Sequence, residues 1–329
     1  MKRRVRRSLV LRMGTRASAL ALAQSRRFAA ALERVHRRLG LRVEIVPLST
    51  RGDRDRHSAL RKFGGTGVFV KELERALAAK RVDFAVHSLK DLPLRQPRGL
   101  VLAAIPRRED VRDVLVQRAG ARLEAGSVVG TGSLRRRAQL ELWLSGLLFV
   151  EMRGNVETRL RKVADGVCDA TLLAHAGLKR LGWRVPSRGL TIRLPGAAAA
   201  LRLKALSTTR MLPAPGQGAL GIECRADDLG TRRLLGALDD PCTSAAVAAE
   251  RACLAAVGGG CDLPLGVHAK PNRARQRLEL QAVLALPDGR GKAYASLNGP
   301  VADARKLGRR AGKLLASSPV GRTIRKAGI

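Results

Sequence analysis

At 329 residues the chain is long enough for two or three domains with buried cores. Its net charge is +36, with 50 arginines among 63 basic residues, a field that attracts nucleic acid, membrane surfaces or acidic metabolites. Five Phe, two Trp and one Tyr are too few to build base-stacking platforms, and no helix-turn-helix or zinc-finger pattern occurs, so a dedicated nucleic-acid protein is disfavoured.

In chain order, Met1-Lys-Arg-Arg-Val-Arg-Arg7 begins like an export signal, but the apolar stretch Leu9-Val-Leu11 is broken by Arg12. No apolar run reaches membrane-spanning length, and a cytoplasmic protein is expected. Residues 18–39 predict an amphipathic helix capped by Ser18, with Leu20, Ala23, Phe28, Ala31, Leu32, Val35 and Leu39 on its apolar stripe. Strands are predicted at 43–48, 82–86 and 100–105, with a helix over 69–80. The polar, glycine-rich segment 50–67 reads as a flap over a site. From Val114 the alternation restarts: a strand, a helix at 134–145, a strand at 147–152, a helix at 156–165 and a strand at 170–174. This pattern predicts two α/β units, each with a largely parallel sheet. Residues 183–213 lack periodicity and read as a surface insertion. Beyond Cys224, helices at 229–238 and 242–257, strands at 263–269 and 278–286 and a helix at 302–316 predict a small α+β domain.

Four basic segments are placed at strand-to-helix junctions: Gly14-Thr-Arg-Ala-Ser18, Gly130-Thr-Gly-Ser-Leu-Arg-Arg-Arg137, Arg153-Gly-Asn-Val-Glu-Thr-Arg159 and Gly177-Leu-Lys-Arg180. Helix N-termini offer unpaired N–H groups to anions, and arginine adds a planar fork for carboxylates. Four such segments predict a ligand carrying several negative charges. Lys90 and Asp91 follow a strand directly, where catalytic groups and solvent-exposed turns both occur; His87 reads as a packed strand-end residue. The five cysteines, at 168, 224, 242, 253 and 261, show no C-x-x-C spacing, which argues against a disulfide framework or a structural zinc site. Cys261 stands apart because it follows Gly258-Gly-Gly260, where bare backbone lets a bulky group approach. The other four read as structural.

Taken in order, Thr15-Arg-Ala-Ser18, Thr50-Arg-Gly-Asp53, Gly64-Gly-Thr-Gly67 with Val68 to Glu74, His87-Ser-Leu-Lys-Asp91, Gly130 to Arg136, Arg153-Gly-Asn155, Ala176 to Gly182, Pro215-Gly-Gln-Gly218 and Gly259-Gly-Cys261 resemble the porphobilinogen deaminase (hydroxymethylbilane synthase) family. The resemblance implies an α/β fold: two type II periplasmic-binding-protein-like domains with a cleft between them, plus a small C-terminal α+β domain. Those domains are expected at 8–106 with 219–238, at 107–218 and at 239–329. It also implies a dipyrromethane cofactor joined by a thioether to Cys261, with Lys90, Ser133, Arg135 and Arg136 binding it. Asp91 is the implied catalytic residue. Arg16, Ser18, Phe69, Thr131, Arg153, Arg159, Arg180 and Gln217 are the implied substrate-binding positions. The implied reaction condenses four porphobilinogen molecules head to tail, releases ammonia, and frees a linear tetrapyrrole by hydrolysis, with no metal or nucleotide. The partner is then a small molecule, with no specific nucleic acid, no membrane and a monomeric state. Two positions depart from the family pattern: Thr66 stands where many members carry a flap lysine, and Gly132 is the second position of a Thr-Ser-Ser triplet.

Two other functions compete with this one. A non-catalytic anion-binding protein would keep the fold but would need neither Asp91 nor a glycine-flanked Cys261. A charge-driven nucleic-acid binder would show affinity falling steeply with salt and no turnover.

Overall fold

The computed structural model describes residues 9–48, 67–260, 263–272 and 274–328, with the backbone alone for 67–69. The chain divides into two compact units, residues 1–108 with 219–244 and residues 109–218 with 245–329. In the first stretch run β1 (Val10–Arg16), α1 (Ala19–Val35), β2 (Arg42–Leu48), α2 (Gly67–Ala78), β3 (Phe84–Ser88) and β4 (Leu100–Ala104). The next stretch holds β5 (Asp113–Arg118), β6 (Val128–Gly130), α3 (Leu134–Glu141), β7 (Leu148–Val150), α4 (Val156–Ala164), β8 (Ala170–Ala174), α5 (His175–Arg180), β9 (Leu190–Ile192) and β10 (Leu201–Ala205). The chain then returns for β11 (Leu220–Arg225) and α6 (Leu229–Gly236). The helix α7 (Pro241–Val257) leads into β12 (Leu265–Asn272), β13 (Arg277–Ala285), β14 (Lys292–Pro300), α8 (Ala304–Ser317) and α9 (Pro319–Lys326).

The first unit has a five-stranded sheet of order β2-β1-β3-β11-β4. Strands β2, β1 and β3 are parallel, and β11 runs antiparallel to both β3 and β4. On one face, Phe28 and Leu32 of α1 pack with Met13, Phe84, Val86 and Cys224; Phe28 meets Phe84 edge to face at 5.8 Å. On the other, Leu73, Ala76 and Leu77 of α2 pack with Val82, Ala85 and Leu100. The α1 stripe is narrower at its end than predicted: Ala21, Gln24, Ser25, Phe28, Ala29 and Leu32 are buried, whereas Val35 and Leu39 are exposed. The helix stops at Val35, and a short 3-10 turn carries Leu39 away from the core.

The second unit repeats this layout as β7-β6-β8-β5-β10-β9, with β7, β6 and β8 parallel and β5 antiparallel beside β8. Both sheets are therefore mixed rather than largely parallel. In each, an antiparallel strand lies beside the parallel trio, and apolar runs alone do not give strand direction. The stretch 183–213 is also not a surface insertion. Within it, β10 pairs with β5 and β9, and Leu201 and Leu203 are fully buried while Arg202 and Lys204 point out. An alanine run just before it hides that alternation. The C-terminal part of this unit is a three-stranded antiparallel sheet, β12-β13-β14, with a core of its own from α7, α8 and α9. Strand β14 and helix α9 were not anticipated. Among the described residues, no helix is long and apolar enough to cross a membrane.

Candidate functional site

In the first unit, side chains named from sequence gather at the carboxyl ends of the parallel strands, the edge where open α/β sheets bind ligands. Arg16 ends β1, and Ser18 caps α1 by accepting a hydrogen bond from the Ala21 N–H at 3.3 Å. Two strands of the same trio, β1 and β3, lie side by side, and β3 runs into the 3-10 turn Leu89–Asp91. Lys90 and Asp91 are half-buried there. The turn has a fixed base: Leu89 N–H donates to the Ala219 carbonyl at 3.1 Å, Ser88 Oγ donates to Gln24 Oε1 at 3.3 Å, and Leu89 is 1% exposed. Leu89 lies over Gly221 of β11, where a Cβ would stand 2.7 Å from Leu89 Cδ1. Beneath the turn, His87 Nε2 bonds the Glu223 carboxylate at 3.0 Å, with both side chains buried. Glu74 nearby has its carboxyl raised above the usual range, first by burial and then by the Glu223 charge.

The second unit gathers its residues the same way. Thr131 follows β6, its N–H bonded to the Val150 carbonyl at 2.9 Å, and its hydroxyl accepts from Ser133 N–H at 3.2 Å. Ser133 caps α3, and Asn155 caps α4 by accepting from Thr158 N–H at 2.8 Å. Arg153 follows β7 and donates from Nε and Nη2 to Glu151 Oε1 at 3.0 and 2.8 Å. Arg159 Nε donates to the Gly154 carbonyl at 2.9 Å. At Gly132 an added Cβ would find only Glu151, no nearer than 3.7 Å, so the backbone there does not demand glycine.

Two neighbouring arginines of α3 turn inward. Arg135 is 4% and Arg136 7% exposed, and both guanidinium groups bond Asp113, the first residue of β5, which is fully buried. Burial alone would raise the Asp113 carboxyl, but the two arginines outweigh it and hold it well below the usual carboxylate range. Burial pulls Arg135 below the usual guanidinium range, and Asp113 pushes back. Among the described residues, one carboxylate against two guanidiniums leaves a net positive charge, and Arg135 Nε is buried without a hydrogen-bond partner. Such a cluster fits an anionic group, and carboxylates are what the predicted ligand would bring.

Not every predicted residue sits at these strand ends. Arg180 closes α5 rather than opening a helix, and its Nη2 donates to the Gly218 carbonyl at 2.7 Å. Gln217 is fully buried and donates to the Val111 carbonyl at 2.7 Å. Together they tie down the Pro215–Gly218 segment, which Glu250 also holds by accepting from Gly216 N–H at 2.7 Å and from Ala269 N–H at 2.9 Å. The Phe69 side chain, the flap segment 50–66 with Thr66, and Cys261 lie outside the described residues. The remaining cysteines are free thiols: Cys168, Cys224 and Cys253 are buried and Cys242 is half-buried. Burial pushes Cys224 up to about 11 and Cys253 up to about 12, leaving almost no thiolate at neutral pH. Among the described residues no group of three or more His, Cys, Asp and Glu side chains could hold a metal ion. Sequence reasoning missed Asp113, Glu223 and Glu250. For Asp113 the available signal was an acid at the mouth of an otherwise apolar strand in a chain rich in arginine.

Comparison with known proteins agrees with the residue pattern. Residues 11–233 match the family model described as porphobilinogen deaminase, dipyromethane cofactor binding domain, and residues 244–317 match porphobilinogen deaminase, C-terminal domain. The porphobilinogen deaminase of Syntrophobacter fumaroxidans is 45% identical over 96% of this chain and 97% of its own. That of Sorangium cellulosum is 48% identical over 91% of this chain and 95% of its own. Among solved structures, the periplasmic VFT2 domain of Bordetella pertussis BvgS aligns over 69% of this chain and 85% of its own at 17% identity and a TM-score of 0.39. With one family model spanning most of its length and relatives this similar end to end, the chain belongs to the porphobilinogen deaminase family.

Proposed function

We propose that the protein is a working hydroxymethylbilane synthase, which condenses four porphobilinogen molecules head to tail with loss of ammonia and hydrolyses the linear tetrapyrrole free. The observation that carries this reading is the buried, net positive Asp113–Arg135–Arg136 cluster with its unpartnered Arg135 Nε, since it suits a ligand bearing carboxylates. When bound through Cys261, the dipyrromethane supplies a tethered pyrrole carbon nucleophile at high effective concentration. Lys90, Ser133, Arg135 and Arg136 hold its carboxylates. Arg16, Ser18, Thr131, Arg153, Arg159 and Arg180 take the acetate and propionate groups of incoming porphobilinogen, with Phe69 and Gln217 completing the contacts. Each added ring brings two further carboxylates, and the arginines balance that charge.

Asp91 does the electrostatic work. As ammonia leaves porphobilinogen, positive charge spreads over the pyrrole, and a fixed carboxylate on a rigid strand end stabilises it without reorganising. Three domains, at 8–106 with 219–238, 107–218 and 239–329, fit this chemistry, the first two of the type II periplasmic-binding-protein kind. A monomeric cytoplasmic enzyme without membrane or specific nucleic-acid partners completes the reading.

Asp91→Asn tests it, because the amide is nearly isosteric. Thermal melts should show an intact fold while product formation from porphobilinogen drops by about a hundredfold or more, the scale of losing one preorganised electrostatic group. Asp91→Glu should retain more activity. A folded Asp91→Asn enzyme with near-normal turnover removes Asp91 from the mechanism.

A further inference from the structure

Among the described residues, Asp113 is the one buried carboxylate against the two inward arginines, and hydrogen bonds fix it closely. Its Oδ2 accepts from Arg135 Nη1 at 2.7 Å, and its Oδ1 accepts from Arg136 Nε and Nη2 at 3.1 and 2.7 Å. The same guanidiniums are fixed on a further side, Arg135 Nη1 donating to the Leu212 carbonyl and Arg136 Nη1 to the Leu172 carbonyl, each at 2.8 Å. The carboxylate itself hangs from a strand rather than from α3. Its own carbonyl accepts from Leu206 N–H at 2.8 Å, and it pairs in register with Ala174 of β8.

Two adjacent cations on one helix repel, and at this depth little water screens them. Without the carboxylate the guanidiniums would separate. A second carboxylate would neutralise the cluster and leave nothing for an anion to complete. A single carboxylate shared by both holds them in register and keeps one uncompensated positive charge.

We propose that Asp113 is a positioning residue for the dipyrromethane carboxylates, clamping Arg135 and Arg136 side by side while leaving the cluster short of one negative charge that the bound group supplies. This rests on the reading that Arg135 and Arg136 hold that group.

The test is the covalent occupancy of the purified full-length protein by intact mass, beside thermal melts, for wild type and Asp113→Asn. Wild type should carry the dipyrrole mass. Folded Asp113→Asn should carry it in a fraction lower by about tenfold or more, since a tenfold change corresponds to about 1.4 kcal/mol and breaking a buried pair exceeds that. A purely structural role would lower the melting temperature and leave the folded molecules fully loaded, and that result overturns the inference. If Asp113→Asn fails to fold, Asp113→Glu keeps the charge but moves it by one methylene. It should melt near wild type yet load porphobilinogen into the apoprotein about threefold more slowly or worse; loading at the wild-type rate overturns the inference. A wild-type protein without any adduct would overturn the proposed function along with it, whereas adduct on wild type and on folded Asp113→Asn alike overturns this inference alone.

Discussion

Replacing Gly221 by alanine probes Asp91 without touching it. The added Cβ would lie 2.7 Å from Leu89 Cδ1, 3.1 Å from Leu102 Cδ2 and 3.6 Å from Leu92 Cδ2. Carbon atoms pack comfortably at about 3.5–4.0 Å, so Leu89 must retreat by about 1 Å. Leu89 is 1% exposed, and its backbone is bonded at both N–H and carbonyl, to Ala219 O and Leu92 N. The displacement therefore passes into the turn that carries Asp91. Overpacking of this kind costs about 1–3 kcal/mol, and a melting-temperature loss of about 2–4 °C per kcal/mol follows for a unit of this size. A displacement near 1 Å can also cost about a hundredfold in rate. Steady-state turnover of porphobilinogen, melts, and intact mass to confirm cofactor loading separate the two effects. Adding Leu89→Val to Gly221→Ala removes one methyl-sized obstacle and should recover part of both losses. A loaded Gly221→Ala enzyme with a lowered melting temperature and kcat within about twofold of wild type would refute the reasoning, because the turn would then absorb the shift without moving the carboxylate.

Two further outcomes follow from burial and charge. Alkylation of the native protein at pH 8 should leave Cys224 and Cys253 unlabelled, because burial pushes their thiols up to about 11 and about 12; peptide mapping should find Cys261 blocked by the cofactor and Cys242 labelled first, and an adduct on Cys242 or Cys253 would move the attachment site. Asp113 has a carboxyl depressed below its ordinary 3.8, so its stabilising contribution is complete above that pH and is lost as pH falls toward the folded-state value. The melting-temperature gap between wild type and folded Asp113→Asn should accordingly be constant from pH 7 to about 5 and narrow between about pH 4 and 2; a gap that stays constant down to pH 2 would contradict this.

The elements with strong local signals were legible in the sequence. Ser18, Ser133 and Asn155 cap helices because a short polar side chain before an apolar-periodic run satisfies an orphan N–H, a rule that needs no tertiary knowledge. The basic segments at strand ends were legible for the same reason, apart from Arg180, whose short helix begins at His175, two residues before Gly177, so that the arginine closes the helix and does not open it. Strand direction was not legible. A buried strand such as Leu220 to Arg225 carries no local mark of parallel or antiparallel pairing, and β11 is placed by partners more than a hundred residues away. An acid at the mouth of an apolar strand marks Asp113 as unusual, but its partners were not legible, for a related reason. Its meaning comes from the α3 arginines, more than twenty residues away in sequence and reached through the fold. His87 reads from sequence as a packed strand-end residue, and the structure adds the partner, Glu223, that sequence distance conceals.

The placement of β11 has a consequence for how the molecule is made. This strand fills the gap between β3 and β4, yet it is translated only after the whole of β5 to β10. At roughly 5–20 residues per second, the stretch between Ala104 and Leu220 takes about 6–23 s to emerge. Throughout that interval β3 lacks the neighbour that would cover its second edge, and β4 has no strand to join. The other mixed sheet draws all its strands, Asp113 to Ala205, from one continuous stretch and can close while synthesis continues. The arginines of α3 are thus seated on a finished sheet before Gly221 arrives to support Leu89. The turn bearing Asp91 acquires its foundation only after the whole of β5 to β10 has been made, and a ribosome stalled before residue 220 would leave the α3 arginines on a complete sheet while Leu89 still lacked its floor.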